Sequence, residues 1–187
     1  EKKQRRRNPA PPFTTSTLQQ EASRKLGFSA QRTMRTAQQL YEGIDIGGEV
    51  TGLISYMRTD SVNLGKEALA EIRELITTRF GAENLPPEAL VYKTKSKNAQ
   101  EAHEAVRPTA AARTPDSLKE YLTPEQIKLY ELIWKRTVAC QMIPALLDTV
   151  SVDLLAGTGH IFRASGSTVV KPGFMAVYLE DTDEPNP

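Results

Sequence analysis

The apolar positions of this chain follow a helical rhythm for most of its length and an alternating one near its end. Leu18, Ala22 and Leu26 recur at i, i+4 and i+8, the stripe that one helix face buries. Ser16 is a candidate cap for that helix, and Gly27 is placed to stop it. Ser29 can cap a second helix that turns Met34, Ala37 and either Leu40 or Tyr41 inward and runs to Glu42. Two helices around a Gly27-Phe28-Ser29 turn form a helix-turn-helix pattern, decorated by Arg24, Lys25, Arg32 and Arg35. A third helix, started by Ser61 or Asn63, would bury Ala68, Leu69, Ile72, Leu75, Ile76 and Phe80 and end at Gly81. The fourth has the best start signal: Thr123 as cap, Pro124 in the first turn and Gln126 as capping-box partner. Ile127, Tyr130, Ile133, Trp134, Thr137 and Val138 follow at helical spacing to about Met142, and Pro144 closes the helix. Trp134 and Cys140 read as packing residues of that core.

Beyond Pro144 the period drops to two. Asp148 to Leu155 alternates through Val150, Val152 and Leu154, the mark of a strand. Ile161 to Val170 and Phe174 to Leu179 read as two further strands, joined by a Lys171-Pro172-Gly173 turn. At the other end, Lys2, Lys3, Arg5, Arg6 and Arg7 read as a solvated terminus, and Pro9, Pro11 and Pro12 enforce an extended approach to the first helix. Glu42 to Gly52 is a glycine-rich loop or short hairpin. The expected fold class is therefore mainly α with a smaller β part.

The stretch with chemical potential is Leu53-Ile54-Ser55-Tyr56-Met57-Arg58-Thr59-Asp60-Ser61. In an extended segment, positions i and i+2 share a face, so Tyr56 and Arg58 can meet one ligand. A phenol is a poor nucleophile at neutral pH, with a pKa of about 10. A guanidinium beside it favours the phenolate and can grip a phosphate oxygen. The pair is a kit for attack on a phosphodiester. By spacing alone, a packed tyrosine at a strand end with a surface arginine satisfies the same pattern.

Three stretches in order separate those readings. Pro11-Pro12-Phe13-Thr14-Thr15-Ser16-Thr17-Leu18-Gln19-Gln20, then Ile54-Ser55-Tyr56-Met57-Arg58-Thr59-Asp60-Ser61, then Gln100-Glu101-Ala102-His103-Glu104-Ala105-Val106-Arg107-Pro108 resemble the motifs of type IA DNA topoisomerases. The resemblance covers nearly the whole chain but only a central portion of such an enzyme. It implies that Tyr56 attacks single-stranded DNA, forming a 5′-phosphotyrosine link, passing a strand and religating, so that negative supercoils relax without ATP. It implies that Arg58 stabilises the phenolate and the scissile phosphate, that His103 holds a nearby phosphate, and that Thr59 and Asp60 brace the loop. Gln38 matches a family position near the site. It further implies that the sheet residues belong to an antiparallel β arch domain, in pieces 1–14 and 143–187, with a helical tyrosine-bearing domain, 15–142, inserted between them. The family's Mg²⁺ sits in a Toprim domain that has no counterpart in these residues, so Mg²⁺ is expected only in the intact enzyme.

Lys93, Lys95 and Lys97 alternate, which would align them on one face of an extended segment, and with Arg107 they are candidate phosphate contacts. His103, four residues before Arg107, is expected on a helical turn with it. Glu101, His103 and Glu104 lack the His-Glu-x-x-His spacing of a zinc site, and Asp181-Thr182-Asp183-Glu184 reads as a solvated loop, so no metal site is expected here. The competing class is a non-catalytic, winged-helix-like DNA-binding module whose two leading helices read duplex DNA.

Composition sets outer bounds. The 187 residues carry a net charge of +1, so contact with DNA must come from local patches rather than a global field. A single cysteine excludes an internal disulfide and fits a reducing compartment. No run approaches the roughly 18 apolar residues of a membrane span, and a cytoplasmic location is expected. A chain beginning at Glu1 suggests an excised fragment.

Overall fold

The computed structural model describes residues 1–93 and 103–179, and these form a helical body joined to a three-stranded sheet. Lys95, Lys97, Glu101 and the acidic run from Asp181 lie outside the described residues. The helices are α1 (Thr15–Leu26), α2 (Ala30–Glu42), α3 (Lys66–Phe80) and α4 (Pro124–Ala139). The strands are β1 (Lys2–Arg7), β2 (Ile44–Asp45), β3 (Val50–Thr51), β4 (Ala145–Leu155) and β5 (Ile161–Lys171). Among the described residues, no helix is long and apolar enough to cross a membrane.

Helix α4 is the axis of the body and packs against α1, α2 and α3. Its reciprocal capping box, Thr123 with Gln126, forms as the sequence predicts. Leu129, Tyr130, Ile133 and Val138 are fully buried. The aromatic residues keep their polar tips satisfied: the Tyr130 hydroxyl donates to the Arg113 carbonyl at 2.6 Å, and the Trp134 ring N–H donates to the Ala111 carbonyl at 2.8 Å. Cys140 is buried, as a packing thiol should be, and burial pushes its pKa up to about 12.

The sheet runs β1-β4-β5, all antiparallel, with Lys2 opposite Val150 and Arg7 opposite Ala145. The basic N-terminal run is thus a paired strand of the sheet. Its side chains stay exposed, because an edge strand can satisfy its backbone in the ladder and leave its cations in water. One face of β4–β5 carries a polar ladder, Thr149 to Ser167, Ser151 to Ser165 and Asp153 to Arg163. The alternate positions Val150, Val152, Leu154 and Phe162 are exposed.

Four local expectations are corrected. Helix α1 is capped by Thr14, not Ser16, because Thr14 and Thr17 form a reciprocal capping box. Helix α3 starts after Gly65, not at Ser61 or Asn63, since the intervening backbone is used elsewhere: the Asn63 carbonyl accepts from Ala105 N–H at 2.8 Å. Phe174 to Leu179 is no strand. It opens with a 3-10 turn, Gly173–Ala176, which drives Phe174 and Tyr178 into the helical core. Gly173 permits this entry, having φ of 51° and no room for a Cβ against the Ile143 and Pro144 carbonyls. Finally, His103 to Arg107 is not a helical turn. Val106 forms a bridge with Phe13 and Pro108 with Ile54, so this stretch lies extended between the other two motifs.

Candidate active site

The tyrosine stretch is built from an approach and two clamps. The approach is a β2–β3 hairpin, after which Leu53 N–H donates to the Leu40 carbonyl at 2.7 Å and ties the segment to the end of α2. Gly52 is required at this crossing, because a Cβ there would stand 2.8 Å from the Tyr41 carbonyl oxygen. Beyond Ile54 the backbone bends but keeps the period of two: Met57 and Thr59 are buried, while Tyr56, Arg58 and Asp60 are exposed. Tyr56 is therefore no packed core tyrosine. It is 47% exposed and meets Tyr41 edge-on, with ring centroids 5.2 Å apart.

The first clamp is Thr15, the opening residue of α1. Its hydroxyl donates to the Met57 carbonyl at 2.7 Å and lies 3.1 Å from the Thr59 carbonyl. It also accepts from Thr59 N–H at 2.8 Å. The Thr15 N–H donates to the Thr59 carbonyl at 2.9 Å. The backbone on both sides of Arg58 is held by this one residue.

The second clamp joins Tyr56's neighbour to the histidine stretch. Ser55 N–H donates to the Arg107 carbonyl at 2.8 Å, and its hydroxyl donates to the Ala105 carbonyl at 2.6 Å. Glu104 accepts two hydrogen bonds from the Arg107 guanidinium, at 3.0 and 2.6 Å, and one from Gly65 N–H. Arg107 also donates to the Pro108 carbonyl at 2.9 Å, so its guanidinium is engaged within the chain.

These clamps create an open pocket of about 490 Å³ lined by Thr14, Thr15, Ser16, Arg58, Thr59, Asp60 and His103. Arg58 and His103, 45 positions apart in sequence, thus face one space at the N-terminus of α1, where the helix dipole adds positive potential. Tyr56 is not among the lining residues. It stands on the same exposed side of its segment as Arg58. Gln38 is exposed on α2 and donates to Glu42 at 2.7 Å. Lys93 is exposed. Thr59 is buried, whereas Asp60 reaches the pocket. Among the described residues, no three His, Cys, Asp or Glu side chains gather at metal-ligand range.

A family model described as DNA topoisomerase matches residues 1–187. The chain belongs to the type IA DNA topoisomerase family. Among curated members, DNA topoisomerase 1 of Xylella fastidiosa is 64% identical over 185 residues, which is 98% of this chain and 23% of that protein. DNA topoisomerase 1 of Rickettsia felis is 56% identical over 185 residues, again 98% of this chain and 24% of that protein. The chain thus spans about a quarter of the length of these topoisomerases. Among solved structures, full-length topoisomerase I from Thermotoga maritima matches with a TM-score of 0.82 and 38% identity, covering 100% of this chain and 30% of that one. Mixed helices and small antiparallel sheets fit that likeness.

The residues that sequence reading missed are the supports. Thr15 and Glu104 lie inside the quoted motifs, but no periodicity signals that their side chains hold backbone rather than ligand. Of the two alternative inward positions on α2, Leu40 is buried and Tyr41 is half exposed.

Proposed function

We propose that this chain is the tyrosine-bearing part of an enzyme that cleaves one DNA strand transiently, passes another through the gap and reseals it, relaxing negative supercoils without ATP. The observation that carries this reading is an exposed Tyr56 beside Arg58, with Arg58 and His103 converging on one open pocket. The phenolic oxygen of Tyr56 attacks the phosphorus of a single strand. An O–P bond to tyrosine forms, the P–O3′ bond breaks, and the 3′ oxygen leaves as a hydroxyl after taking a proton. The 5′-phosphotyrosine ester keeps the bond energy, so the reverse attack by the 3′ hydroxyl reseals the strand.

Arg58 neutralises charge on the scissile phosphate, and its planar fork suits two of the phosphate oxygens. His103 holds a phosphate in the same pocket. Thr59 and Asp60 brace the segment, Thr59 through its bonds to Thr15. Lys93, Lys95 and Lys97 supply cations along the strand, and Gln38 offers an amide close to Tyr41. Arg107 shapes the site through Glu104, and a phosphate contact would require it to leave that partner. The helical body, 15–142, is read as an insertion between the sheet pieces 1–14 and 143–187, with the sheet as part of an arch. Single-stranded and negatively supercoiled DNA are the substrates, and Mg²⁺ and the Toprim domain belong to the intact enzyme, which would act in the cytoplasm.

A duplex-reading module is less favoured by the same geometry. Of the cations on α1 and α2, Arg24 pairs with Glu21 and Arg32 with Glu125, which draws them away from a groove. The deciding experiment uses the full-length protein and a labelled single strand. A denaturant-resistant protein–DNA adduct is expected from the wild type and none from Tyr56→Phe, whose DNA binding survives because phosphates are held mainly by cationic and backbone groups. Relaxation by Tyr56→Phe at near wild-type rate would show that another residue is the nucleophile.

A further inference from the structure

We infer that Tyr41 is a nucleobase-stacking residue, the platform for a base flanking the phosphate that Tyr56 attacks. The inference rests on the reading of Tyr56 as nucleophile. Tyr41 stands in the last turn of α2, and its neighbour Leu40 is fully buried, which fixes the helix end to the core. Yet the Tyr41 ring remains 42% exposed and lies against a second exposed ring, Tyr56, at 5.2 Å and 61°. Two adjacent aromatic side chains left open to solvent offer a flat face on which a further ring can stack.

The platform is also held in place. The Leu40 carbonyl accepts from Leu53 N–H at 2.7 Å, three residues before Tyr56, and Gly52 passes directly over the Tyr41 carbonyl. Tyr41 and Tyr56 thus sit on one rigid crossing of α2 with the tyrosine stretch. Arg58, two residues on, opens into the phosphate pocket. A strand whose phosphate is gripped by Arg58 and approached by Tyr56 carries its flanking base past the Tyr56 ring, where Tyr41 stands. Every base has a π-face, so such a contact is tolerant of sequence and favours unstacked, single-stranded DNA over duplex. Gln38 lies one turn earlier on α2, three positions from Tyr41 and on the same helix face; its amide nitrogen donates to Glu42, which leaves its carbonyl oxygen to meet the edge of a stacked base.

The test is a cycle between protein and DNA in the full-length enzyme. Cleavage sites are first mapped on a single-stranded oligonucleotide, and each base around one site is then replaced in turn by an abasic residue. Binding is measured in the Tyr56→Phe background, which cannot cleave, with and without Tyr41→Leu, an apolar replacement that cannot stack. Removing one flanking base should weaken binding roughly 10-fold, and Tyr41→Leu should cost a similar factor. The two losses should not multiply when combined. Tyr41→Phe should restore wild-type binding, because stacking needs the ring and not the hydroxyl.

Multiplicative losses, or binding by Tyr41→Leu equal to its parent, would overturn the inference. So would a Tyr41→Leu protein that forms less adduct while its abasic penalty stays intact, since the ring would then only buttress Tyr56. If Tyr56→Phe itself formed adducts, the reading beneath the inference would fail instead, and the two failures are distinct. A variant that melts early is replaced by Tyr41→Met, read against the same abasic series.

Discussion

The Thr15 hydroxyl supports a prediction whose size follows from its contacts. Thr15→Val keeps the shape of the side chain and removes the hydroxyl, which donates to the Met57 carbonyl and accepts from Thr59 N–H. Thr59 is buried, so its N–H is left without a partner. An unsatisfied buried donor costs about 1–3 kcal/mol. The bond from Thr15 N–H to the Thr59 carbonyl survives, so the segment loosens without detaching. At 1.4 kcal/mol per tenfold, the Thr59 amide should exchange with solvent roughly 5- to 150-fold faster, while global stability falls by no more than the same energy. Because Arg58 lies between the two clamped peptides, a displacement of about 1 Å there can cost on the order of 100-fold in reaction rate. The assay is amide exchange read by mass spectrometry over residues 55–61 of the full-length protein, alongside single-turnover adduct formation. Thr15→Ser, which keeps the hydroxyl, should sit close to wild type in both. Unchanged exchange in Thr15→Val, or equal damage from Thr15→Ser, would refute the clamp.

Two further outcomes are expected. Arg136 is 3% exposed, donates to the Pro11 carbonyl at 2.6 Å and meets the Phe13 and Tyr178 rings, so Arg136→Met should lower stability by about 2–3 kcal/mol in chemical denaturation. Cys140 keeps its proton in the fold up to about pH 12, whereas an unfolded thiol ionises from a pKa of about 8.5, so stability is intact below that pH and declines as pH rises toward 12. Burial raises Tyr92, Tyr130 and Tyr178 in the same direction, and Cys140→Ala should remove only the earliest part of the alkaline loss, measured by denaturant midpoints from pH 8 to 11.

What could be read in the sequence were the features that local chemistry determines. The Thr123-Pro124-Glu125-Gln126 start of α4 encodes its own cap, and the cap is made by those same residues. The turn between α1 and α2 needed only Gly27 at φ of 65° and the Ser29 side chain. What escaped reading depends on partners far along the chain. Ser16 stands two positions before Leu18, the first residue of the apolar stripe, but Thr14 takes the cap because Thr17 can answer it. The Phe174 to Leu179 stretch is a short apolar run after a turn sequence, which reads as a strand, yet Phe174 and Tyr178 at i and i+4 are anchors that plug the helical core. Tyr178 reaches the buried Glu21 carboxylate there. The spacing of Tyr56 and Arg58 was legible, whereas the meeting of Arg58 with His103 required Phe13 to bridge Val106 and Ile54 to bridge Pro108. Only long-range pairing produces that meeting.

The pocket's charge leads to a last prediction, that this 187-residue chain alone neither cleaves nor relaxes DNA. Among the described residues lining the pocket, Arg58 and His103 are the groups that can carry positive charge, and Asp60 opposes them. A phosphate held there brings further negative charge, and attack by Tyr56 moves charge onto the departing 3′ oxygen. Electrostatic stabilisation of a transition state requires donors already aimed at the atom where charge develops, in a site from which water is excluded. Here Tyr56 is nearly half exposed, and the pocket beside it is open. Water screens the attraction of an exposed guanidinium for phosphate to about 1 kcal/mol at 4 Å, far short of what strand cleavage demands. The remaining charge and the cover over the tyrosine must come from elsewhere, in the present reading from the Toprim face of the intact enzyme. The isolated chain should retain weak binding to single strands, falling steeply with salt as counterion release requires. Incubating it with an end-labelled single strand and Mg²⁺, then separating under denaturing conditions, should give no tyrosine-linked band, whereas the full-length protein gives one. A band from the isolated chain would mean that Tyr56, Arg58 and His103 suffice, and the division of labour argued here would be wrong.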